Sequence, residues 1–329
     1  MSCVSRRKLL WIALALTVSW WHSGLALRDS AHAQARPEDS QEFGVDAGVS
    51  VAEIEAALGS AQPISLKPVG TSSVAFKMDL AGPVDAAFKP ASKAHPEGYR
   101  AELAAFAVGR ALGIANVVPA VQRSFSVAQL QGWLRGRYQE RWPELEAGMI
   151  VRDGSVQGAA IYWIPDLHEL GLDNEEGVER WSRWLSQEHP LSDRDKSRVL
   201  AAQISTMVCF DYLIANWDRF SGANAQGDHS ESFIYFRDHN VAFGDPLSAT
   251  QRGRLLTRLR RVQRFSRSFV ESLKANDPHK LEQTLRARGL GAVLTSAQWA
   301  ALEERRLTLL SYVAALIDRY GEDDVLPFP

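Results

Sequence analysis

Cysteine is almost missing from this chain of 329 residues: only Cys3 and Cys209 occur. Cys3 sits ahead of an apolar N-terminal run instead of after it, so a lipoprotein lipobox is not supported. It also falls within a segment expected to be removed, which leaves no intramolecular disulfide. Neither CxxC nor HExxH is present, and the eight histidines show no zinc-site spacing. The phosphate-loop pattern GxxxxGK[ST] is absent too. An excess of charge of one sign is lacking: 37 basic and 39 acidic residues give a net charge of −2. Such a balance exerts no overall pull on DNA, RNA or anionic lipid, so no nucleic-acid partner is expected. No internal repeat and no low-complexity tract appears. The apolar run Leu9–Trp21 covers about thirteen residues, short of the roughly 20 that a membrane-crossing helix needs.

What is present begins with an address. Arg6, Arg7 and Lys8 precede that run, and Ala31-His32-Ala33 and Ala33-Gln34-Ala35 follow it. This is the layout of a signal peptide over residues 1–35, cleaved after Ala33 or Ala35. The protein is then exported, to the periplasm, the cell surface or beyond, with no membrane span after cleavage. Ser5-Arg6-Arg7-Lys8-Leu9-Leu10 also fits a twin-arginine signal, so the export route stays open. Residues 36–48 read as a linker.

With 46% apolar residues the remainder has enough hydrophobic surface for a large core or two lobes. Val51 to Leu58 reads as a short helix ended by Gly59. Ile64-Ser-Leu, Ser73 to Met78 and Asp85 to Lys89 read as strands separated by Gly70, Gly82 and Pro83. From Tyr99 to Leu112 the apolar spacing turns helical, with Gly113 as the stop. Beyond Pro119 regular signals are sparse until Gly148 to Val151 and Val156 to Trp163. Helices are then expected at about 175–186, 193–215, 253–265, 269–275, 278–288 and 296–320. Phe233 to Gly244 interrupts them as two short strands around Arg237 to Asn240. The outcome is an α+β fold: a β-rich N-lobe over residues 49–125 with one helix, and a mainly helical C-lobe over 126–329.

Phosphoryl transfer asks for a cation on the phosphates, a group fixing that cation, ligands for metal ions, and an acid that orients or deprotonates the acceptor. Lys89 ends a strand in Ala87-Phe88-Lys89-Pro90 and is placed to reach phosphates. Glu102 lies four residues before Phe106 on the sheet-facing side of the next helix, placed to pair with Lys89. Gly70-Thr71-Ser72 joins two strands and offers backbone N–H groups and hydroxyls for phosphates. In Phe210-Asp-Tyr-Leu-Ile-Ala-Asn216-Trp-Asp218-Arg219 an apolar helix runs into a polar loop. Asp218 there suits a catalytic acid/base and Asn224, six positions on, a metal ligand. Asp238, between two strand-like runs, suits a metal bridging phosphates, with Asp245 as a weaker second carboxylate. Taken singly each has an ordinary reading: a solvated lysine, a first-turn glutamate, a polar turn, an Asp-initiated hairpin.

Together, in this order, the blocks resemble the secretory-pathway atypical kinases of the FAM20 and Four-jointed type, and more distantly the HipA and PI3/4 kinases. The similarity spans roughly residues 64–247. It is carried by Ala87-Phe-Lys89-Pro90, by Ala101-Glu102-Leu-Ala-Ala-Phe106, by Phe210 to Arg219, and by Asp238-His-Asn-Val-Ala-Phe-Gly244. The resemblance implies a two-lobed kinase-like fold that uses ATP with Mg²⁺ or Mn²⁺. Lys89 would hold the phosphates, Glu102 would orient Lys89 or contribute to the metal shell, Asp218 would act on the acceptor, and Asp238 with Asn224 would bind metal. The acceptor would be a hydroxyl of a protein or a glycan. Phe220 stands where many relatives have histidine, and Asp238-His239 replaces the commoner Asp-Asn. Readings kept beside this one are an inactive pseudokinase or binding module, nucleotidyl transfer on the same fold, and a helical interaction protein using some of the ten tryptophans. Trp181 and Trp184, three apart on one helix, read more simply as core packing.

Overall fold

A computed structural model describes Phe43 and residues 48–70, 73–191, 195–222 and 224–329. The expected signal peptide, and Thr71 and Ser72, lie outside the described residues. Among the described residues no helix is long and apolar enough to cross a membrane.

The small lobe is a five-stranded antiparallel sheet. Its strands are β1 (Pro63–Val69), β2 (Ala75–Leu80), β3 (Ala86–Pro90), β4 (Ala120–Ser126) and β5 (Ser155–Tyr162), in the order β1-β2-β3-β5-β4. Central β3 pairs Phe88 with Phe76 on one side and with Ala160 on the other. Alternation along β3 buries Ala86 and Phe88 and turns Ala87 and Lys89 to the opposite face. The Phe88 ring packs 5.2 Å from Phe125 and fits only because position 158 is glycine. A Cβ there would lie 2.6 Å from both the Phe88 ring and the Lys89 carbonyl oxygen.

Helix α1 (Val51–Ser60) opens with a reciprocal cap between Ser50 and Glu53. Helix α2 (Gly98–Ala111) packs on β3, β4 and β5. It stops where the sequence places Gly113. The N–H of Ile114 bonds the Gly109 carbonyl and that of Gly113 the Arg110 carbonyl, with Gly113 at φ 73°.

Helices dominate the rest: α5 (Glu175–Leu185), α6 (Asp195–Leu213), α7 (Ala249–Leu259), α8 (Arg267–Ala275), α9 (Pro278–Ala287), α10 (Ser296–Tyr320) and α11 (Glu322–Val325). A three-stranded sheet, β6 (His168–Glu169), β7 (Ala225–Gly227) and β8 (Ile234–Phe236), lies between this helical lobe and the small one. Trp181 is fully buried, its indole N–H bonded 3.0 Å from the Leu172 carbonyl, while Trp184 is half-buried against the core.

Several stretches differ from the sequence reading, which placed no element at β6, β7 or α11. The quiet region after Pro119 contains β4, α3 (Val127–Trp133) and α4 (Trp142–Gly148). Their signals were present in Ser126 and Gln129, which form a capping box, and in Pro143 in the first turn of α4. Helix α7 starts at Ala249, not near 253, because Ser248 and Gln251 cap it reciprocally. The second strand expected before Gly244 is a turn: Asp238 and Phe243 are left-handed, at φ 61° and 59°, and the Ala242 N–H bonds the His239 carbonyl.

The junction between the lobes decides the geometry of the site. The Phe236 N–H donates to the Asn116 carbonyl (2.8 Å), and the Val118 N–H to the Phe236 carbonyl (3.1 Å). The Asn116 side-chain amide donates to Gln203 on α6 (2.7 Å) and to the Ile234 carbonyl (2.9 Å). The chain leaving α2 is thereby hydrogen-bonded to the strand β8 that leads into Asp238.

Candidate active site

Lys89, Glu102 and Asp238 meet. The Lys89 ammonium donates to Glu102 Oε1 at 2.6 Å and to Asp238 Oδ1 at 2.8 Å, although 149 residues separate Lys89 from Asp238. Glu102 is only 3% exposed. Its Oε1 also accepts from the His239 backbone N–H at 3.0 Å, and its Oε2 faces His239 Nδ1 at 3.4 Å. Burial pushes the Glu102 carboxyl upward, but the Lys89 ammonium and the bonds from His239 outweigh it and hold the group well below 4.5. Burial likewise pulls the Lys89 ammonium down, and the Glu102 and Asp238 carboxylates overcome it, leaving a net rise.

These shifts fix a pH dependence. A carboxyl whose value is depressed in the fold contributes its full stabilisation above its unfolded value and loses it as pH falls. Replacing Glu102 by Gln is therefore expected to cost about 2 kcal/mol near neutrality, the scale of hydrogen bonds to charged groups. The gap in melting temperature between the two proteins should narrow as the pH drops below 4.5. A gap that stays constant down to pH-induced unfolding would count against the ion pair.

A cleft of about 500 Å³ opens beside this triad. Ala87, Val118, Ile161, Ile164 and Leu167 form its apolar wall, with Lys89 and Asp238 at the polar end. The alternation of β3 puts the small Ala87 side chain on the same face as Lys89, which leaves room for a flat ring. An apolar slot with a few charged groups in its lining is the usual form of a small-molecule site.

The loop holding Asp218 is built from buried polar residues. Helix α6 ends with Ala215 left-handed at φ 60°. The Asn216 N–H bonds the Asp211 carbonyl at 2.8 Å and the Ala215 N–H the Tyr212 carbonyl at 3.3 Å. Arg219 is wholly buried. Its Nε and Nη2 donate to the two oxygens of Asp211 at 3.0 Å each, and its Nη1 donates to the Asn224 carbonyl at 3.0 Å and to the Arg237 carbonyl. Its Nη2 also lies 3.1 Å from His239 Nε2. A guanidinium can only donate, so Nε2 accepts and the ring proton belongs on Nδ1, facing Glu102. Arg219 follows Asp218 and Arg237 precedes Asp238, so the single bond between them holds the two acidic loops side by side.

The Asp218 side chain is half-buried and its carboxylate has no hydrogen-bond partner among the described residues. Its carbonyl accepts from Ser221 at 2.7 Å and from the Asn224 amide at 3.5 Å. Arg258 of α7 donates to the Trp217 carbonyl at 2.8 Å and lies over the Phe220 ring at 4.6 Å. Burial pulls its guanidinium down despite the Asp211 and Asp218 carboxylates nearby.

Lys89, Glu102 and Asp238 thus share one contact cluster, and Asp218 and Asn224 share the adjoining loop. Gly70 is placed elsewhere: with Ser73, Lys93 and Arg141 it lines a separate cavity of about 1090 Å³. Asp245 is exposed and lines a third cavity, in the helical lobe. Asp211, Asn216, Arg219 and His239 were not singled out as site residues. One signal could have found the first: a carboxylate inside the apolar stretch Met207–Ala215 needs a buried cationic partner.

Among the described residues no group of three or more His, Cys, Asp or Glu side chains is arranged to hold a metal ion. The oxygen donors at hand are the Asp238 carboxylate and the Asn224 amide, which suit a hard cation that completes its shell with phosphate oxygens and water.

No protein-family model matches the chain. A human glycosaminoglycan xylosylkinase is 28% identical over 202 residues, 53% of this chain and 46% of the relative, so the chain spans about half of that relative's length. A Golgi casein kinase solved with Mn and ADP superposes with a TM-score of 0.61 at 16% identity, covering 84% of this chain and 78% of the other. A hydra Fam20 solved with sugar gives 0.64 at 18%, covering 88% and 96%. These likenesses give the chain the two-lobed atypical-kinase fold.

Proposed function

We propose that this chain is an exported, ATP-dependent phosphotransferase that moves the γ-phosphate to a hydroxyl of a protein serine or threonine, or of a glycan. The observation that carries the reading is the Lys89 ammonium held between Glu102 and Asp238 at 2.6 and 2.8 Å beside the cleft. Its supports are the names of the relatives, one a xylosylkinase and one a casein kinase crystallised with Mn and ADP.

In this reading Glu102 keeps the ammonium aimed at the cleft, and Lys89 neutralises phosphate charge. Asp238 and Asn224 would hold Mg²⁺ or Mn²⁺, which would screen the negative charge of the transferring group. Asp218, its carboxylate unspent, receives the acceptor hydroxyl and orients it for in-line attack on the γ-phosphorus. The proton passes to Asp218 and ADP departs. Little covalent chemistry is asked of the protein, so positioning and charge stabilisation supply the rate.

The test is transfer of labelled phosphate from ATP with Mn²⁺ or Mg²⁺ to protein and glycan acceptors, beside nucleotide binding by thermal shift. Nucleotide binding with no transfer to any acceptor supports a pseudokinase instead. Addition of a nucleotidyl group, read by product mass, assigns the alternative chemistry. Lys89→Met is expected to weaken nucleotide binding by about 10- to 100-fold, the loss of one or two charge-assisted hydrogen bonds. Unchanged affinity in calorimetry would remove Lys89 from the phosphate site.

A further inference from the structure

Arg237 stands directly before Asp238 and lines the cleft together with Lys89 and Asp238. The proposed phosphotransfer gives its side chain no task. Ile234, Tyr235 and Phe236 of β8 are buried, and the chain turns at Asp238, so Arg237 is the first side chain of the run to be only half-buried.

Both ends of the residue are held. Its carbonyl accepts from Arg219, and its Nε, at 3.0 Å, and its Nη2 donate to Gln226 Oε1 on β7. Burial pulls the guanidinium down, while the Asp238 and Glu102 carboxylates act on it in the opposite sense. Those are the two carboxylates that grip Lys89, so the guanidinium belongs to the polar end of the cleft. Gln226 sets the direction of the planar fork before any ligand arrives, and a donor ordered in advance loses little on binding.

Charge decides which part of a nucleotide such a group meets. Base and ribose are neutral, whereas each phosphate presents anionic oxygens in pairs that match a guanidinium edge. Building on the phosphotransferase reading, we propose that Arg237 is a further phosphate-binding residue, its guanidinium donating to phosphate oxygens of the bound nucleotide beside Lys89.

Calorimetric titration of ADP into the whole chain, once with Mg²⁺ and once with EDTA, tests this without any transfer step; adenosine serves as the ligand that lacks phosphate. Arg237→Met should weaken ADP binding by about 10- to 100-fold, the loss of one or two charge-assisted hydrogen bonds. The loss should appear with and without metal, and adenosine affinity should stay at the parental value. Arg237→Lys should recover part of it, since an ammonium restores the charge but not the fork. Gln226→Leu leaves Arg237 in place and removes its brace. It should weaken ADP by a smaller factor and leave adenosine unchanged, and it decides the matter where Arg237→Met does not fold. An equal loss for ADP and adenosine overturns the proposal, because the residue then packs against base or ribose. A loss confined to Mg²⁺ also overturns it, because the residue then acts through the metal. A parent that binds no ADP in either condition sinks the phosphotransferase reading and this proposal with it. A parent that binds ADP, with affinity unchanged in the variants, sinks this proposal alone.

Discussion

Asp218→Asn is expected to lower the turnover of phosphate transfer by about 10²–10⁴-fold, the usual worth of a positioned acid/base group. Nucleotide affinity should change little, because the proposed phosphate contacts come from Lys89 and Asp238. The two quantities separate for a structural reason. Asp218 has no side-chain partner that the substitution would orphan, and its backbone carbonyl, which anchors Ser221 and Asn224, is untouched by Asn. Folding stability should therefore stay near that of the parent. Single-turnover kinetics and nucleotide binding on the same protein preparation decide the matter. Phosphate transfer at the parental rate would take the acceptor role away from Asp218.

The second large effect concerns stability. Arg219→Met is expected to destabilise the protein by about 3–5 kcal/mol, the cost of removing one partner from a buried ion pair. Asp211 would keep its charge at 4% exposure with only the Asn216 amide, 3.0 Å away, as a remaining side-chain donor. His239 Nε2 would lose its donor, and the carbonyls of Asn224 and Arg237 would lose theirs. Lysine is expected to rescue only part of the loss, since one ammonium cannot spread over all these acceptors. Combining Arg219→Met with Asp211→Leu should recover much of the stability, because no buried charge is then left alone; the surplus over the summed single effects measures the coupling. Urea unfolding of Arg219→Met, Arg219→Lys, Asp211→Leu and the double variant provides the numbers. A loss below about 1 kcal/mol for Arg219→Met would mean that the pair behaves as a solvated one.

The same network explains how two loops that each hold an acid stay in register. Asp238 is left-handed at φ 61°, a conformation that an aspartate tolerates better than most residues but does not prefer. Two bonds from the neighbouring residues compensate: the Arg237 carbonyl is held by Arg219, and the His239 N–H by Glu102. Glu102 therefore contacts both Lys89, proposed to hold the phosphates, and His239, beside the proposed metal ligand Asp238. A change at Glu102 is expected to disturb nucleotide and metal binding together.

Helix α2 was legible because its apolar spacing and Gly113 both speak for the same boundaries. The strand carrying Lys89 was legible because Gly82, Pro83 and Pro90 bracket a short apolar run. Helices α3 and α4 were missed although Ser126, Gln129 and Pro143 announced them, because each is barely two turns and shows only one or two buried positions. The turn after Asp238 reads as a strand in sequence, since Val241-Ala-Phe243 is apolar. Its backbone is instead drawn to the end of α6, where the Phe243 N–H bonds the Ile214 carbonyl. Local pattern cannot report a hydrogen bond made 29 positions away.

Residue types and their spacing were sufficient to determine the α+β character, the presence of α2 and of the longer helices, and the identity of the acidic and basic groups, because those follow from side-chain size and periodicity within a few residues. Tertiary structure alone decided that Lys89 reaches Asp238, that Arg219 binds the two loops together, and that Gly70 and Asp245 line other cavities. Those outcomes depend on contacts between segments distant in the chain, above all the pairing of residues 116–118 with Phe236, which sets one lobe against the other.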